Sequence, residues 1–183
     1  MDSITRTYID NVFSTDRETQ SSAYFALIEA TNQSVDWTYA VWDDMVKALT
    51  HKDNHIRAIA AQLLNNLAKS DPEQRILKDF DALLAVTKDA RFVTARHCMQ
   101  SLWKIGVVSK VHQDRLIAGL EGRYNECITE KNGSLIRSDI LESLRHVYDV
   151  VKDESIRIMA LALIESESDP KYRKKYAGLW KVK

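Results

Sequence analysis

The chain has 183 residues, of which 45% are hydrophobic and 28% are charged, as in an ordinary folded domain. Its 26 basic and 26 acidic residues give a formal net charge of zero, which removes the strongest global argument for nucleic-acid binding, a large excess of Lys and Arg. Only five Gly and two Pro occur, too few turn residues for a many-stranded β-protein, so helices are expected throughout.

Composition also bears on location and on cofactors. No apolar stretch approaches the roughly 20 residues that a membrane-spanning helix needs, and the first residues do not have the basic start and apolar core of a signal peptide. Cys98 and Cys127 have neither metal-ligand spacing nor the pattern of a disulfide framework. We therefore expect a cytoplasmic protein with free thiols, no cofactor and no membrane partner.

Apolar residues recur every three or four positions along the chain, which predicts a succession of amphipathic helices. In chain order, these begin near Ile4, at the capping-box pattern Thr15-x-x-Glu18, before Val41, after Asp53 and at Pro72, and then cover about 90–105, 110–128, 134–149, 153–166 and 170–181. Gly106 is a predicted helix stop. No strand is predicted, and short loops favour antiparallel neighbours within one domain, residues 1–183.

One phrase returns in these helices: an acid, two residues, an aliphatic residue and arginine. It stands as Asp53-x-x-Ile56-Arg57 and again from Asp153. When consecutive helices are paired, the second helices begin at about 16, 53, 89, 133 and 169, and four of these starts carry aspartate. A unit of nearly constant length predicts a stacked helical repeat, in which the aspartate caps its helix and the arginine reaches the adjacent unit.

This phrase resembles the HEAT-repeat family, whose second helix opens Asp-x-x-Val-Arg with alanine and leucine following. The resemblance spans nearly the whole chain and is strongest in Asp53–Leu67 and Asp169–Arg173; the arginine is missing at Thr19-Gln20 and Phe92-Val93. It implies an all-α fold, a right-handed α–α superhelix (solenoid) of about five antiparallel helix pairs, HEAT- or armadillo-like. In such stacks the second helices line the concave surface.

The helix predicted over 90–105 has the most unusual polar face, with three basic residues and no acid. Arg96 and His97 replace the small Ala60 and Ala61 of the better-matching unit. Either this face is simply solvated or it binds a partner in the concave groove. The candidate binding residues are Arg91, Arg96, His97, Gln100 and Lys104, extended on the next second helix by Arg145 and His146.

The C-terminal stretch from Pro170 to Lys183 carries six basic residues and no acid, with Tyr172, Tyr176 and Trp180 at successive turns. Considered alone, such a helix could bind nucleic acid, a membrane or a partner. In the repeat frame the three aromatic residues occupy packing positions. We therefore expect a capping helix whose lysines form the polar outer face that a terminal repeat needs.

Motifs for catalysis or metal binding are not found in the sequence. His51-x-x-x-His55 has a spacing that can bind a metal on a helix, but it straddles a loop and no third ligand stands at a fixed spacing. There is no His-Glu pair, no glycine-rich phosphate loop and no Gly-x-Ser-x-Gly motif. We predict no metal, no cofactor and no catalytic residue.

The sequence favours a non-catalytic scaffold, a protein-interaction module that binds a protein partner along the concave face of the repeat stack. The alternative is a nucleic-acid-binding protein similar to the alkylpurine DNA glycosylases, which are built on HEAT-like repeats and hold DNA in a basic groove. Trp103 beside Arg96 and Lys104 favours this alternative, and the zero net charge opposes it. An exposed Trp103 would support the glycosylase resemblance, and a buried one would count against it.

Overall fold

The computed structural model describes residues 1–181, and every regular element in this range is helical. The α-helices are α1 (Ser3–Asn11), α2 (Arg17–Ala30), α3 (Thr38–Ala48), α4 (Asn54–Leu67), α5 (Arg75–Val86), α6 (Phe92–Ser101), α7 (Trp103–Gly106), α8 (Lys110–Glu126), α9 (Gly133–Val151), α10 (Glu154–Glu165) and α11 (Pro170–Leu179). Short 3₁₀ turns at Ala68–Ser70 and Cys127–Thr129 follow α4 and α8. The predicted all-α class is confirmed.

The chain divides into two compact units, the first from Met1 to Ser101 and the second from Leu102 onward. In the first unit α1 packs on α2, α3 on α4 and α5 on α6, and the second helices α2, α4 and α6 follow one another, with α4 contacting both of the others. In the second unit α9 contacts α7, α8, α10 and α11, and α10 packs on α11. In the first unit, consecutive helices therefore pack in the predicted pairs, whereas in the second unit α9 contacts four helices and separate pairs are not distinguished.

Aspartates cap helices at four of the predicted positions. A carboxylate accepts a backbone N–H of the first turn in each case: Asp16 from Thr19 (2.9 Å), Asp53 from His55 (2.8 Å), Asp153 from Ser155 (3.0 Å) and Asp169 from Lys171 (2.8 Å). These bonds satisfy N–H groups that the first turn of a helix leaves without partners. Asp89 instead accepts the Arg91 N–H at 2.8 Å in the turn before α6, which begins at Phe92, so it is not the cap of that helix. The predicted Thr15–Glu18 capping box is wrong, because Asp16 is the cap of α2.

Arginines connect consecutive pairs in the first unit. Arg17 Nη2 donates to Asp53 at 2.8 Å, and Arg57 donates to both carboxylate oxygens of Asp89 at 2.6 and 2.9 Å. Burial alone would raise the pKa of Asp89, but the bonds from Arg57 and from the Arg91 N–H outweigh it, so the pKa lies below its ordinary value. The aspartate that precedes one helix is thus held by the arginine of the preceding pair.

A similar connection is buried in the second unit. Arg137, on α9, donates to Glu167 at 2.8 Å and to the backbone carbonyl of Tyr124 at 3.1 Å. Its guanidinium also lies over the Tyr124 ring, 4.5 Å from the centroid. Because both members of the ion pair are buried, the additional bonds offset the cost of removing the charges from water.

The C-terminal helix packs as the repeat frame predicts. The Tyr176 hydroxyl donates to the Ser134 carbonyl at 2.7 Å, and Trp180 Nε1 donates to the Leu141 carbonyl at 3.2 Å, both on α9. Tyr172 is half-buried against Tyr176. The exposed lysines of this helix are Lys171, Lys174 and Lys175, whereas Lys183, part of the predicted basic tail, lies outside the described residues.

The helix predicted over 90–105 is two helices, since α6 ends at Ser101 and α7 begins at Trp103. The Ser101 hydroxyl bonds the His97 and Cys98 carbonyls at 2.9 and 3.0 Å and accepts Asn65 Nδ2 at 2.7 Å. A serine bonded back to its own helix weakens the backbone ladder and favours a bend.

One other predicted boundary is wrong. Pro72 lies in the turn before α5, which begins at Arg75 behind Gln74 in the left-handed conformation (φ 54°). The stop predicted at Gly106 agrees with the structure, since Gly106 is the last residue of α7, but it lacks the positive φ of a glycine cap. The role of Gly106 is close packing, because a Cβ there would meet Leu116 Cδ2 at 2.6 Å.

Candidate functional site

The three second helices of the first unit enclose a pocket of about 440 Å³, within the usual range of ligand sites. We call it the second-helix pocket. Its lining comes from α2 (Arg17, Gln20, Ser21, Tyr24), α4 (His55, Ala58, Ile59, Gln62) and α6 (His97). The contributing residues of α2 and of α4 are three or four positions apart, so each helix turns one face to the pocket.

Hydrogen bonds fix the α2 side of the pocket. Gln20 is buried, with its Nε2 donating to the Val12 carbonyl at 2.8 Å and its Oε1 accepting Arg17 Nη1 at 2.7 Å. Arg17 Nη2 is at the same time bonded to Asp53. The exposed guanidinium is therefore held at the rim, and these two bonds leave other N–H donors of its fork available.

A second set of bonds joins α2 to α4. The Tyr24 hydroxyl donates to Gln62 Oε1 at 2.9 Å, and Gln62 Nε2 donates to the Ala58 carbonyl at 3.0 Å. Burial raises the pKa of Tyr24, so its hydroxyl keeps its proton and remains a donor near neutral pH. Its ring lies 5.0 Å from that of Phe25, which is 64% exposed. The pocket thus has an aromatic edge open to solvent.

The lining has a definite chemical character. The pocket residues include no carboxylate. They do include Arg17 and the exposed imidazoles of His55 and His97. The side-chain oxygens of Gln20 and Gln62 already accept bonds from Arg17 and Tyr24. The pocket therefore offers a ligand hydrogen-bond donors and a cation more readily than it offers acceptors.

The predicted site residues divide between the two units. Arg91, Arg96, His97 and Gln100 belong to the first, where His97 lines the pocket, Arg91 and Gln100 are exposed and Arg96 is half-buried. The second unit contains Lys104, Arg145 and His146. The sequence predicts Lys104 on the helix that carries Arg96. That prediction is wrong, because α6 ends at Ser101 and a new helix begins at Trp103.

The predicted extension in the second unit is engaged by neighbouring side chains. Arg145 Nε donates to both carboxylate oxygens of Asp149 at 3.0 and 2.9 Å, which lowers the pKa of that carboxyl, and the guanidinium lies 5.7 Å from the Trp180 ring. The exposed His146 ring lies 5.3 Å from that of Trp103, which is half-buried. Trp103 is thus neither clearly exposed nor clearly buried, and it does not decide between the two predicted functions.

The α2 residues of the pocket are not among the predicted site residues. Polar residues at 17, 20 and 21 and the hydroxyl of Tyr24 recur at helical spacing beside the buried stripe of Ala23 and Leu27. That spacing is visible in the sequence. It resembles an ordinary solvated face, and only the neighbouring helices show that it lines a pocket.

His51 and the two cysteines, Cys98 and Cys127, lie outside the pocket lining. His51 Nδ1 accepts the Asp53 N–H at 3.0 Å in the loop before α4. No three His, Cys, Asp or Glu side chains within residues 1–181 are grouped as ligands for a metal ion. Both cysteines are buried, and burial raises the pKa of Cys98 to about 12, which disfavours a reactive thiolate. Over the same range, no helix is long and apolar enough to cross a membrane.

Neither a protein-family model nor a curated protein matches the chain. Three similar solved structures are crystal structures of engineered proteins. The first has a TM-score of 0.54 and 18% sequence identity, and the match covers 98% of this chain and 80% of the engineered one. The second has a TM-score of 0.50 and 19% identity, and the match covers 98% of this chain and 47% of the engineered one. The third has a TM-score of 0.50 and 16% identity, and the match covers 98% of this chain and 95% of the engineered one. This chain thus spans about half of the second protein. At these identities the likeness shows the fold alone, and the HEAT resemblance stays a prediction.

Proposed function

We propose that the chain is a non-catalytic protein-interaction module of the cytoplasm, built from HEAT-like repeats in a right-handed superhelix. A protein partner binds along the face of the second helices. The observation that carries this proposal is the second-helix pocket, where three consecutive second helices bring polar side chains together around the apolar Ala58 and Ile59. The aspartate caps and the Arg17 and Arg57 connections support the repeat frame on which it depends.

The residue types at the pocket suit protein binding. Tyr24, Phe25 and Arg17 belong to the aromatic and arginine classes that are enriched at protein interfaces. Phe25 exposes a large apolar ring beside the pocket, and the bonds to Gln62 and Gln20 hold Tyr24 and Arg17 in place before a partner arrives. Side chains ordered in advance lose less entropy on binding.

The predicted basic residues extend this surface. Arg91, Arg96, His97 and Gln100 continue the proposed binding face on and just before α6. Within the second unit, Lys104, Arg145 and His146 are the residues that we propose for partner binding. The proposal thus keeps the predicted set and adds the α2 residues and the α4 pocket residues to it.

Site-specific photo-crosslinking in cells tests the proposal. A photoreactive amino acid replaces Ser21 or His97 in the pocket, and in matched controls it replaces the exposed Lys78 or Ala82 on the first helix α5. We expect discrete protein adducts from Ser21 and His97 and none from Lys78 or Ala82. Equal adducts from both sets, or none from the pocket, would contradict the proposal. Adducts that nuclease removes would instead support the nucleic-acid alternative.

A further inference from the structure

We propose that the second-helix pocket recognises a carboxylate, namely an aspartate or glutamate side chain of the partner polypeptide. This inference rests on the proposed function and specifies the chemistry of the partner. Two independent properties of the pocket lead to it: the charge of its lining and the state of its hydrogen-bonding groups.

The charge of the lining favours an anion. Arg17 is the charged residue of the lining, and His55 and His97 add imidazole N–H donors. The neighbouring acid is Asp53, which is not part of the lining and already serves as cap of α4 while accepting Arg17. The Arg17 fork has five N–H donors, of which Gln20 and Asp53 take one each, so a ligand carboxylate can bind the remainder.

The hydrogen-bonding state of the pocket favours an acceptor-rich ligand. The pocket has two side-chain amide oxygens, and both already accept hydrogen bonds. Gln20 Oε1 accepts one from Arg17, and Gln62 Oε1 accepts one from Tyr24. Gln62 Nε2 uses one of its two hydrogens for the Ala58 carbonyl and retains the other. A ligand that brought only donors would find Ser21 Oγ and the unprotonated imidazole nitrogens as acceptors, but it would leave the free N–H groups of Arg17 and Gln62 unpaired. A carboxylate brings two acceptor oxygens for those N–H groups.

The apolar part of the pocket suits the rest of an acidic residue. Ala58 and Ile59 line the pocket and are each only 7% exposed. The methylene stem of glutamate, or an aliphatic neighbour in the partner, covers such a floor. A volume of about 440 Å³ exceeds what one carboxylate fills, so we infer that an acidic side chain enters together with an adjacent apolar one.

Titration of the isotope-labelled full chain by NMR tests this inference. The probe is N-acetyl-leucyl-glutamate amide, and its control is the otherwise identical glutamine compound. We expect the glutamate probe to shift backbone signals of Ser21, His55 and His97, and the glutamine probe to bind at least about fivefold more weakly, because charge-assisted bonds are the stronger ones.

Matched arginine variants complete the test. Arg17→Gln should weaken the glutamate probe at least about fivefold, because it removes the charged fork. Arg6→Gln should leave binding unchanged, since Arg6 is similarly exposed and likewise pairs with one aspartate, Asp10, but lies outside the pocket. His97→Gln is a second pocket variant, and thermal unfolding checks that each variant folds.

Three outcomes would overturn the inference: equal binding of the two probes, an equal effect of Arg17→Gln and Arg6→Gln, or shifts with inorganic phosphate but not with the glutamate probe. Each is distinguishable from failure of the proposed function. If Ser21 and His97 still crosslink to a protein, the function stands and only the carboxylate is wrong. If neither residue crosslinks, the function itself is wrong.

Discussion

At the scale of residues, the same acid–arginine pairing has very different surroundings along the chain. The side chains of Arg57 and Asp89 are 17% and 6% exposed, whereas those of Arg6 and Asp10 are 52% and 62% exposed. Exposed pairs contribute little because water and salt screen them, but a buried carboxylate that loses its arginine is left without compensation. The pairs should therefore differ in their contribution to stability.

Arg57→Ala should lower the free energy of unfolding by about 2–4 kcal/mol, because the shielded Asp89 carboxylate loses two bonds and a countercharge. Urea unfolding at pH 7 measures this change. In the matched control, Arg6→Ala, the loss should stay below about 0.5 kcal/mol. Similar losses in the two variants would show that the Arg57 pair does not stabilise the first unit.

The lowered pKa of Asp89 also predicts a pH dependence. Its folded pKa lies below the ordinary value of 3.8, so its stabilising effect is complete above about pH 5 and is lost as the pH falls through the folded pKa. Asp89→Asn should be clearly less stable than the wild type at pH 7, and the difference should shrink toward pH 3. Urea unfolding at several pH values measures it; a difference that grew on acidification would contradict the assignment.

At the scale of elements, two glycines in helices have opposite surroundings. A Cβ on Gly133, the first residue of α9, would lie 2.3 Å from the Cys127 carbonyl oxygen, which as a backbone atom cannot easily move. A Cβ on Gly122, within α8, would meet nothing within 4 Å. At its first residue, α9 therefore packs closely on the turn around Cys127 that precedes it.

Alanine at these two positions should therefore have effects of opposite sign. Gly133→Ala should destabilise by about 1–3 kcal/mol because the turn at Cys127 must shift. Gly122→Ala should stabilise by about 0.5–1 kcal/mol, since alanine is the better helix former and space is available. Thermal and urea unfolding of both variants test this, and a stabilising Gly133→Ala would contradict the close approach.

At the scale of the whole molecule, burial is unequal among the helices. In α4 ten residues are buried, because α2, α3, α5 and α6 all pack against it. In α1 only Ile9 is buried, and in α11 only Tyr176. Segments with few buried contacts open locally at lower free energy than segments that are enclosed.

The rate of amide hydrogen exchange should differ among these helices according to their burial. Amides of α4 should exchange more slowly than those of α1 and α11, after correction for intrinsic rates, because their opening requires more of the first unit to unfold. Mass spectrometry of peptides from the three helices measures it. Uniform protection along the chain would show that the described residues open as one cooperative body.

Much of the fold was predictable because helix signals are local. The buried stripe of α4 and the caps at Asp16, Asp53 and Asp169 depend on neighbours within one or two turns, which the sequence displays directly. The site was less predictable. His97, which the sequence predicts at a binding face, lines the pocket. Lys104, which the sequence predicts on the same helix as Arg96, lies on the next helix.

The sequence alone determined an all-helical chain and the capped starts of α2, α4 and α11, because caps and three-to-four periodicity act within a helix. The tertiary structure decided which polar faces meet. Tyr24 bonds Gln62 across 38 positions, and Asn65 bonds Ser101, at the end of α6, across 36. Such contacts depend on how neighbouring helices pack, and no local pattern records them. The aspartate–arginine phrase therefore accounts for the helical scaffold, whereas the pocket depends on how the helices pack against one another.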